Sequence, residues 1–496
     1  MSRGHLVVHG HFYQPSRLDP FSGSVPEDPT AAPAHDWTAR VSDECYRPNA
    51  ESGNLSRMSW NLGPTLAGWL ERGDPVAYRG FVDGEHGGNG LAQPYHHTIL
   101  PLASAADRRT EIAWGLRDFA WRFGRPATGV WLPEGAVDVP TLRVLVENGV
   151  RHTILAPWQA GDMHVETRRP YRVELGGDLD IVVALYDGGL SAAVSFEPRA
   201  TTDADAFASE WIEPRLVSAS LPDDEPPLVV IATDGELYGH HQPFRDRFLA
   251  RLLGGGAADM TRSFDVVSLA DALAEPPRHT FRTTRIVERT SWSCHHGVLR
   301  WSGECACAAD GRWKGPLRSA LERLAAGIDA VTDRVAAGWG TGVDPWAARD
   351  AYVDVVIGAE DPATFAERWL GGSAGPSVRE SFLAILEAQR WRLAMFASDG
   401  WFWDDPARPE TAGVLRAAAR AARLVAGHAD ETGDLERRLV ADLALFTSPG
   451  HGIDGAEIYR LALVEVGQPA WDPQTSMPTG YGERRGSVES MRLSTP

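Results

Sequence analysis

Between its start and about residue 285 the chain alternates short apolar, β-branched runs with segments of helical period. That alternation restricts it to strands joined by crossover helices, a parallel α/β fold. Strand-like runs fall at residues 6–9, 58–62, 129–132, 152–155, 181–185, 228–232 and 264–267. Residues 107–123 carry Ile112, Leu116 and Phe119 at helical spacing. Residues 139–148 carry Leu142 and Val146 and stop at Asn148-Gly149. Seven strand candidates in one such series favour a closed or nearly closed barrel over an open doubly wound sheet.

From about residue 346 the period becomes purely helical. Phe382, Ile385, Leu386, Leu393 and Phe396 share one face, and Leu435, Leu439, Leu443 and Phe446 form another stripe, as in a helical bundle. Residues 275–345 read as a structured loop excursion rich in Cys, His, Trp and Gly, with a possible strand at 282–289. The expected organisation is a catalytic (β/α) domain over 1–285, a Cys/Trp-rich connecting segment over 286–345, a helical domain contributing to the cleft over 346–470, and a flexible tail over 471–496.

At 496 residues the chain exceeds one ordinary core. A net charge of −19 argues against a nucleic-acid or anionic-membrane partner. Lys314 is the only lysine, and no Gly-Lys-Ser/Thr triplet exists, so a P-loop is excluded. There is no secretory apolar segment and no run of 18 or more apolar residues, so a soluble cytoplasmic protein is expected. Four cysteines in a chain of this length do not make a disulfide scaffold.

Two stretches place carboxylates just past strand ends, where ligands bind in parallel α/β proteins: Val130-Trp131-Leu132-Pro133-Glu134 and Ile231-Ala232-Thr233-Asp234-Gly235-Glu236. Burying such charge against a strand costs stability unless it is partnered or used. The ordinary alternatives are a surface loop acid for Glu134 and a helix N-cap for Asp234. Together the two acids suit retaining glycoside hydrolysis, in which one attacks the anomeric carbon and the other protonates the leaving oxygen, about 5–5.5 Å away.

His9-Gly10-His11, at the end of the first run, puts two imidazoles on one side of a strand. That suits either a metal or two sugar hydroxyls. Further metal ligands would have to come from His86, His96, His97, His240 or His241. Cys294, Cys305 and Cys307, with His295 and His296, form a second cluster, but the spacing is not Cys-x-x-Cys and packed thiols are the expected reading. Of the 18 tryptophans, Trp401 and Trp403 sit in a Gly-Asp-rich turn and are expected as exposed indoles at a cleft.

Four stretches, His9-Gly10-His11-Phe12-Tyr13-Gln14-Pro15, Tyr95-His96-His97-Thr98-Ile99-Leu100-Pro101-Leu102, Trp131-Leu132-Pro133-Glu134 and Asp234-Gly235-Glu236-Leu237-Tyr238-Gly239-His240, have the order and relative spacing of the motifs of glycoside hydrolase family 57. The segment Phe396-Ala397-Ser398-Asp399-Gly400-Trp401-Phe402-Trp403-Asp404-Asp405 looks like its fifth. The chain resembles that family over roughly residues 5–430. The resemblance implies an incomplete (β/α)7 TIM-like barrel followed by an α-helical C-terminal domain. It also implies a retaining mechanism on α-glucans without metal or cofactor, of amylase, 4-α-glucanotransferase or branching type. By motif position it implies Glu134 as nucleophile, Asp234 as acid/base, and Glu236 as a supporting carboxylate. His9, His11, His97 and His240 would bind sugar, with Trp131, Trp401 and Trp403 against sugar rings. The segments 291–297 and 304–307 are not among the family's defining motifs and look like a feature of a less characterised subgroup.

Two other readings compete. One is a metal-dependent hydrolase of the amidohydrolase or deacetylase kind with His9 and His11 as ligands. The other is a non-catalytic glucan-binding protein, which has no need of both Glu134 and Asp234.

Overall fold

The computed structural model describes residues 4–161, 165–217, 226–254, 262–274, 280–340, 342–427 and 433–468, with the backbone of 470–471 and 478–479. The expected tail over 471–496 lies almost wholly outside the described residues. The chain forms two compact units. The first takes its described residues from 1–14, 28–95 and 115–295, and the second from 15–27, 96–114 and 296–496.

The first unit is mixed α/β. Its strands are β1 (Gly4–Phe12), β2 (Ser59–Leu62), β3 (Gly90–Leu91), β4 (Gly129–Val130), β5 (His152–Leu155), β6 (Tyr171–Gly176), β7 (Leu179–Leu185), β8 (Leu228–Asp234), β9 (Phe264–Val266) and β10 (Thr283–Thr284). One sheet runs β3-β2-β1-β8, with β9 also on β1, and the other runs β10-β6-β7-β5-β4. Except for the antiparallel β6–β7 pair, every pairing among β1–β10 is parallel. Two links join the sheets. Ala92, just past β3, bridges Val130 of β4, and the Asp187 amide, just past β7, donates to the Val230 carbonyl of β8 (2.7 Å). The hydrogen-bonded path β8-β1-β2-β3-β4-β5-β7 therefore returns to β8.

Each of the seven expected strand runs contains an observed strand, because long apolar runs flanked by polar turns carry a strong local signal. β3, β6 and β10 are additional. Of the stretch 282–289, only Thr283–Thr284 is strand.

Alternation along the strands sorts the core. Leu6, Val8 and Ile231 pack in one buried cluster with Trp60 and Phe81. Val7, Val230 and Ala232 pack in another with Trp131, Ile154 and Ala184. His9 and His11 have the parity of Val7, so the same period-two rule carries both imidazoles to the Trp131 side.

In the second unit the described regular elements between residues 314 and 465 are helices, the longest being Lys314–Ala336, Pro376–Ala394 and Pro409–Ala426. Pro376–Ala394 packs on Pro409–Ala426. The expected loop excursion over 275–345 needs correcting. Its second half is the 23-residue helix Lys314–Ala336, with Leu317, Leu321, Leu324, Ile328 and Val331 buried along one face. That helical spacing was present in the sequence but was masked by the Cys, Gly and Trp content just before it. Phe396 lies beyond the end of Pro376–Ala394 and is only partly buried. Among the described residues, no helix is long and apolar enough to cross a membrane.

Candidate active site

Glu134 ends the element that starts at β4. It is a non-glycine residue in left-handed backbone (φ 55°, ψ 20°), followed by Gly135 at φ 56°. A left-handed conformation costs a side-chain-bearing residue on the order of 1–2 kcal/mol, and such strain clusters at functional sites. Three contacts hold the turn: Trp292 N donates to the Glu134 carbonyl (3.0 Å), Gln159 Nε2 to the Gly135 carbonyl (2.7 Å), and Arg289 N to the Val137 carbonyl (2.8 Å). A Cβ on Gly135 would lie 3.0 Å from Trp292 Cβ, so both φ and space require glycine there. On the side chain, Ser293 Oγ donates to Glu134 Oε2 (2.6 Å).

Asp234 is the last residue of β8, level with His11 in the β1–β8 register. It makes no capping hydrogen bond to the 3-10 turn Gly235–Leu237, so the N-cap alternative does not apply. The residue keeps exposed surface while protein crowds it on its other sides, as for a group lining an open depression. Loss of bulk water, and then the charge of Glu134, push its carboxyl up to about 7. The two acids, a hundred residues apart in sequence, are thus within electrostatic reach of each other.

Asp234 and Glu236, two residues apart, do not continue one extended segment, because the chain leaves the strand at Asp234 and turns. Glu236 is buried. Its Oε1 accepts from Tyr46 Oη (2.6 Å) and from the Tyr13 amide (3.2 Å), and burial first of all raises its carboxyl to about 8. It ties the end of β1 to the end of β8.

His9 and His11 are both buried and stack on Trp131, with centroids 4.8 and 5.4 Å away. The Asn61 amide of β2 bridges them: Oδ1 accepts from His9 Nε2 (3.2 Å), and Nδ2 lies 3.0 Å from His11 Nδ1 and donates to Gln93 Oε1 (2.6 Å). His9 Nδ1 meets Ser59 Oγ (3.3 Å). Burial pushes His9 down to about 3 and His11 to about 4, so both rings are neutral across the physiological range. Among the described residues the one group with metal-ligand geometry lies elsewhere, at Cys294, His296, Cys305 and Cys307.

Trp131 is itself buried, so its expected role as an open sugar platform is corrected: it is the floor beneath the two imidazoles. Trp292 meets its edge at 4.8 Å, and Trp158, exposed, donates from its indole to the Ser291 carbonyl (3.0 Å). His240 pairs with Glu44 and lies edge-on to Trp37. In the second unit, His97 (φ 59°) hydrogen-bonds Ser398 Oγ (2.7 Å), and His96 pairs with Glu111 (2.8 Å). Trp401 is fully buried there, donating to the Lys314 carbonyl (3.2 Å) beneath the Arg318 guanidinium. An indole in that position presents no face to a sugar, so the expectation of exposure fails for Trp401. It holds for Trp403, which is exposed and covered on one face by Arg408. The aromatic sequence around Trp401 misled because a short Gly-Asp turn can itself be core.

Sequence reasoning missed Ser59, Asn61, Tyr46, Trp158 and the role of Ser293. The first two were findable: Ser59 and Asn61 alternate as polar residues in an otherwise apolar strand, the mark of a face turned to polar partners.

The family profile described as "Glycosyl hydrolase family 57" matches residues 84–254, which include both acids. That match covers about a third of the chain. A second profile, "Domain of unknown function (DUF3536)", matches residues 310–467. The chain is 26% identical to an alpha-amylase of Pyrococcus horikoshii over 215 residues, 40% of this chain and 31% of that protein. It is 30% identical to a 4-alpha-glucanotransferase of Thermococcus litoralis over 149 residues, 29% of this chain and 20% of that protein. The matched segments thus span a third or less of these curated relatives. In fold it is similar to an exo-type maltose-forming amylase from Pyrococcus sp. ST04 (TM-score 0.69, 15% identity, 92% of this chain and 88% of that one). It is also similar to a family-57-type branching enzyme from Pyrococcus horikoshii (TM-score 0.56, 15% identity, 92% and 94%).

Proposed function

We propose that this protein is a retaining glycoside hydrolase or transglycosylase acting on α-glucans, on an incomplete (β/α)7 barrel with a C-terminal helical domain. The barrel reading is supported by the seven parallel strands whose hydrogen-bonded path returns to β8. The substrate class is supported by the family-57 profile match over residues 84–254 and by the names of the relatives. The observation that carries the chemistry is the coupling of Glu134 to Asp234, with Asp234 raised to about 7. An acid kept protonated near neutral pH beside a second carboxylate can supply the proton donor, with the other as the attacking group.

In this mechanism Glu134 attacks the anomeric carbon, and Asp234 protonates the departing glycosidic oxygen. Asp234, now ionised, then takes a proton from water or a sugar hydroxyl, whose oxygen displaces Glu134 from the covalent intermediate. Ser293 orients Glu134 through its hydroxyl. Of the two neutral histidines, His9 spends both ring nitrogens on Ser59 and Asn61, so His11 is the one that would meet a sugar hydroxyl, without competing for the proton. Glu236 acts as a brace. The half-buried Trp292 and exposed Trp158 are better placed than Trp401 to meet a sugar ring.

The metal-dependent alternative is disfavoured by the donor chemistry. His9 and His11 are engaged by Asn61 and Ser59, and no third metal-binding side chain groups with them among the described residues. The test is incubation with maltoheptaose and amylose, resolving product lengths, linkages and anomeric form. Products of initially retained α-configuration are expected. Inverted products, or no cleavage or transfer of any α-glucan, would overturn the reading.

A further inference from the structure

The segment that delivers Ser293 to Glu134 runs on into Cys294, His296, Cys305 and Cys307. One ligand atom from each of these four lies within 4.8 Å of all the others. They belong to one continuous loop of fourteen residues, so the loop itself brings them together. His296 Nδ1 is 3.2 Å from Cys307 Sγ and 3.4 Å from Cys305 Sγ. A tetrahedral zinc with Zn–S near 2.3 Å and Zn–N near 2.0–2.1 Å has ligand–ligand edges of roughly 3.4–3.8 Å, close to these separations.

We infer that Cys294, His296, Cys305 and Cys307 form a structural zinc site that holds the loop supplying Ser293 and Trp292. Three thiolates and one imidazole are a closed, soft donor set that suits zinc and leaves no coordination position for substrate. The packed-thiol alternative explains Cys294 and Cys305, which are buried, but not Cys307 and His296, which are exposed yet converge on them. An exposed thiol gains little by packing and is open to oxidation, whereas a bound metal would hold it as a thiolate.

Local backbone supports the convergence. Gly297, at φ 67°, turns the chain immediately after His296 into the 3-10 segment Gly297–Trp301, whose Trp301 is fully buried. Ser291 Oγ donates to the Cys294 carbonyl (3.2 Å), and Ala308 N to the Cys305 carbonyl (3.0 Å). Binding would release the thiol protons and fix residue 294, one peptide bond from Ser293.

The full-length protein, purified without chelator from zinc-supplemented medium, is expected to hold about one zinc per chain. Titration with a mercurial should release that zinc as about three thiols react. Cobalt(II) exchanged into the site should show thiolate-to-cobalt charge transfer and tetrahedral d–d bands. Cys307→Ser and His296→Ala should each lower retained zinc after dialysis. If these variants fail to fold, the wild-type metal content and cobalt spectrum still decide. Zinc far below stoichiometry, with these thiols reacting as fast as in denatured protein, overturns the site, and so does a disulfide among them. The metal site does not depend on the glycosidase reading, but its link to Glu134 does. Verified zinc-free protein should lose kcat with KM held, and regain it with zinc but not magnesium. An unchanged kcat removes the link and leaves the site, whereas a zinc-loaded protein inactive on every α-glucan counts against the functional reading alone.

Discussion

Two regions, one in each unit, hold desolvated acids in opposite ways. In the second, Asp107 accepts from Arg349 Nη1 (3.0 Å) and pairs with Arg392 Nη1 (2.6 Å), while Arg392 Nη2 reaches Asp329 (2.7 Å) and Arg349 Nη2 donates to Thr110 (2.7 Å). Burial alone would raise Asp107, but the two guanidinium charges outweigh it and hold the carboxyl below its usual range. At the strand ends of the first unit, no arginine enters among the causes that shift Asp234 and Glu236, and both acids rise toward neutrality. Buried charge that is paired serves the fold. Charge crowded by protein and left beside another acid is a cost to the fold, retained where chemistry needs it.

The sharpest break of this contrast is Glu134→Gln. It should cut turnover by roughly 10⁴-fold while far-UV circular dichroism and glucan binding persist. Near-normal turnover would remove Glu134 from the chemistry and leave the Asp234 shift without a use.

Asp234→Asn should slow substrates with poor leaving groups by about 10²–10⁴-fold. An activated aryl glycoside needs no proton to depart, so its glycosylation step should be spared, and azide should rescue turnover. The alkaline limb of the wild-type profile, expected near pH 7 from the protonated donor, should vanish in this variant. If Glu236→Gln shows this behaviour instead, the assignment of brace and donor is reversed.

In the second unit, Asp107→Ala leaves two buried guanidinium groups short of a partner and should cost about 3–5 kcal/mol, read as a lowered melting transition. Because the Asp107 carboxyl is depressed in the folded state, its contribution is full above the unfolded carboxylate range and lost as pH falls through the folded value. The variant should therefore be less stable than wild type at neutral pH, with the gap closing in acid. An unchanged melting transition at neutral pH would make the pairing incidental.

Asp234 and Glu236 carry the opposite sign. Raised to about 7 and about 8, they bind more protons folded than unfolded in the window above the ordinary carboxylate range, so stability falls as pH rises to about 8 and then levels. Asp234→Asn should therefore gain thermal stability over wild type at pH about 8 and lose that gain near pH 4. A gain independent of pH would mean that the carboxyl is not perturbed as inferred.

The smallest effect concerns the aromatics. Trp158→Ala should weaken oligosaccharide binding by about 1–3 kcal/mol with little change in melting. Trp401→Ala should do the reverse, costing about 3–5 kcal/mol of stability. Weakened binding from Trp401→Ala without destabilisation would restore it to the cleft.

The strand series, the two acids at strand ends and the paired histidines of β1 were all legible in the sequence. They depend on period-two alternation and on residue type at the end of an apolar run, both local properties. The 23-residue helix Lys314–Ala336 was equally local but was hidden by the composition preceding it. Trp401 was misjudged because burial is decided by what packs over a residue, here Arg318 and the Lys314 carbonyl, none of which its own neighbours announce. The same holds for function. Sequence alone determined that Glu134 and Asp234 close strands of one parallel series. Only the tertiary structure decided that they feel each other's charge and that Glu236 is turned away to Tyr46. It also showed that four soft ligands, unremarkable in spacing, converge beside Ser293. Proximity between residues far apart in the chain is set by strand order and loop path, and electrostatic coupling depends on that proximity, so neither can be read from adjacent residues.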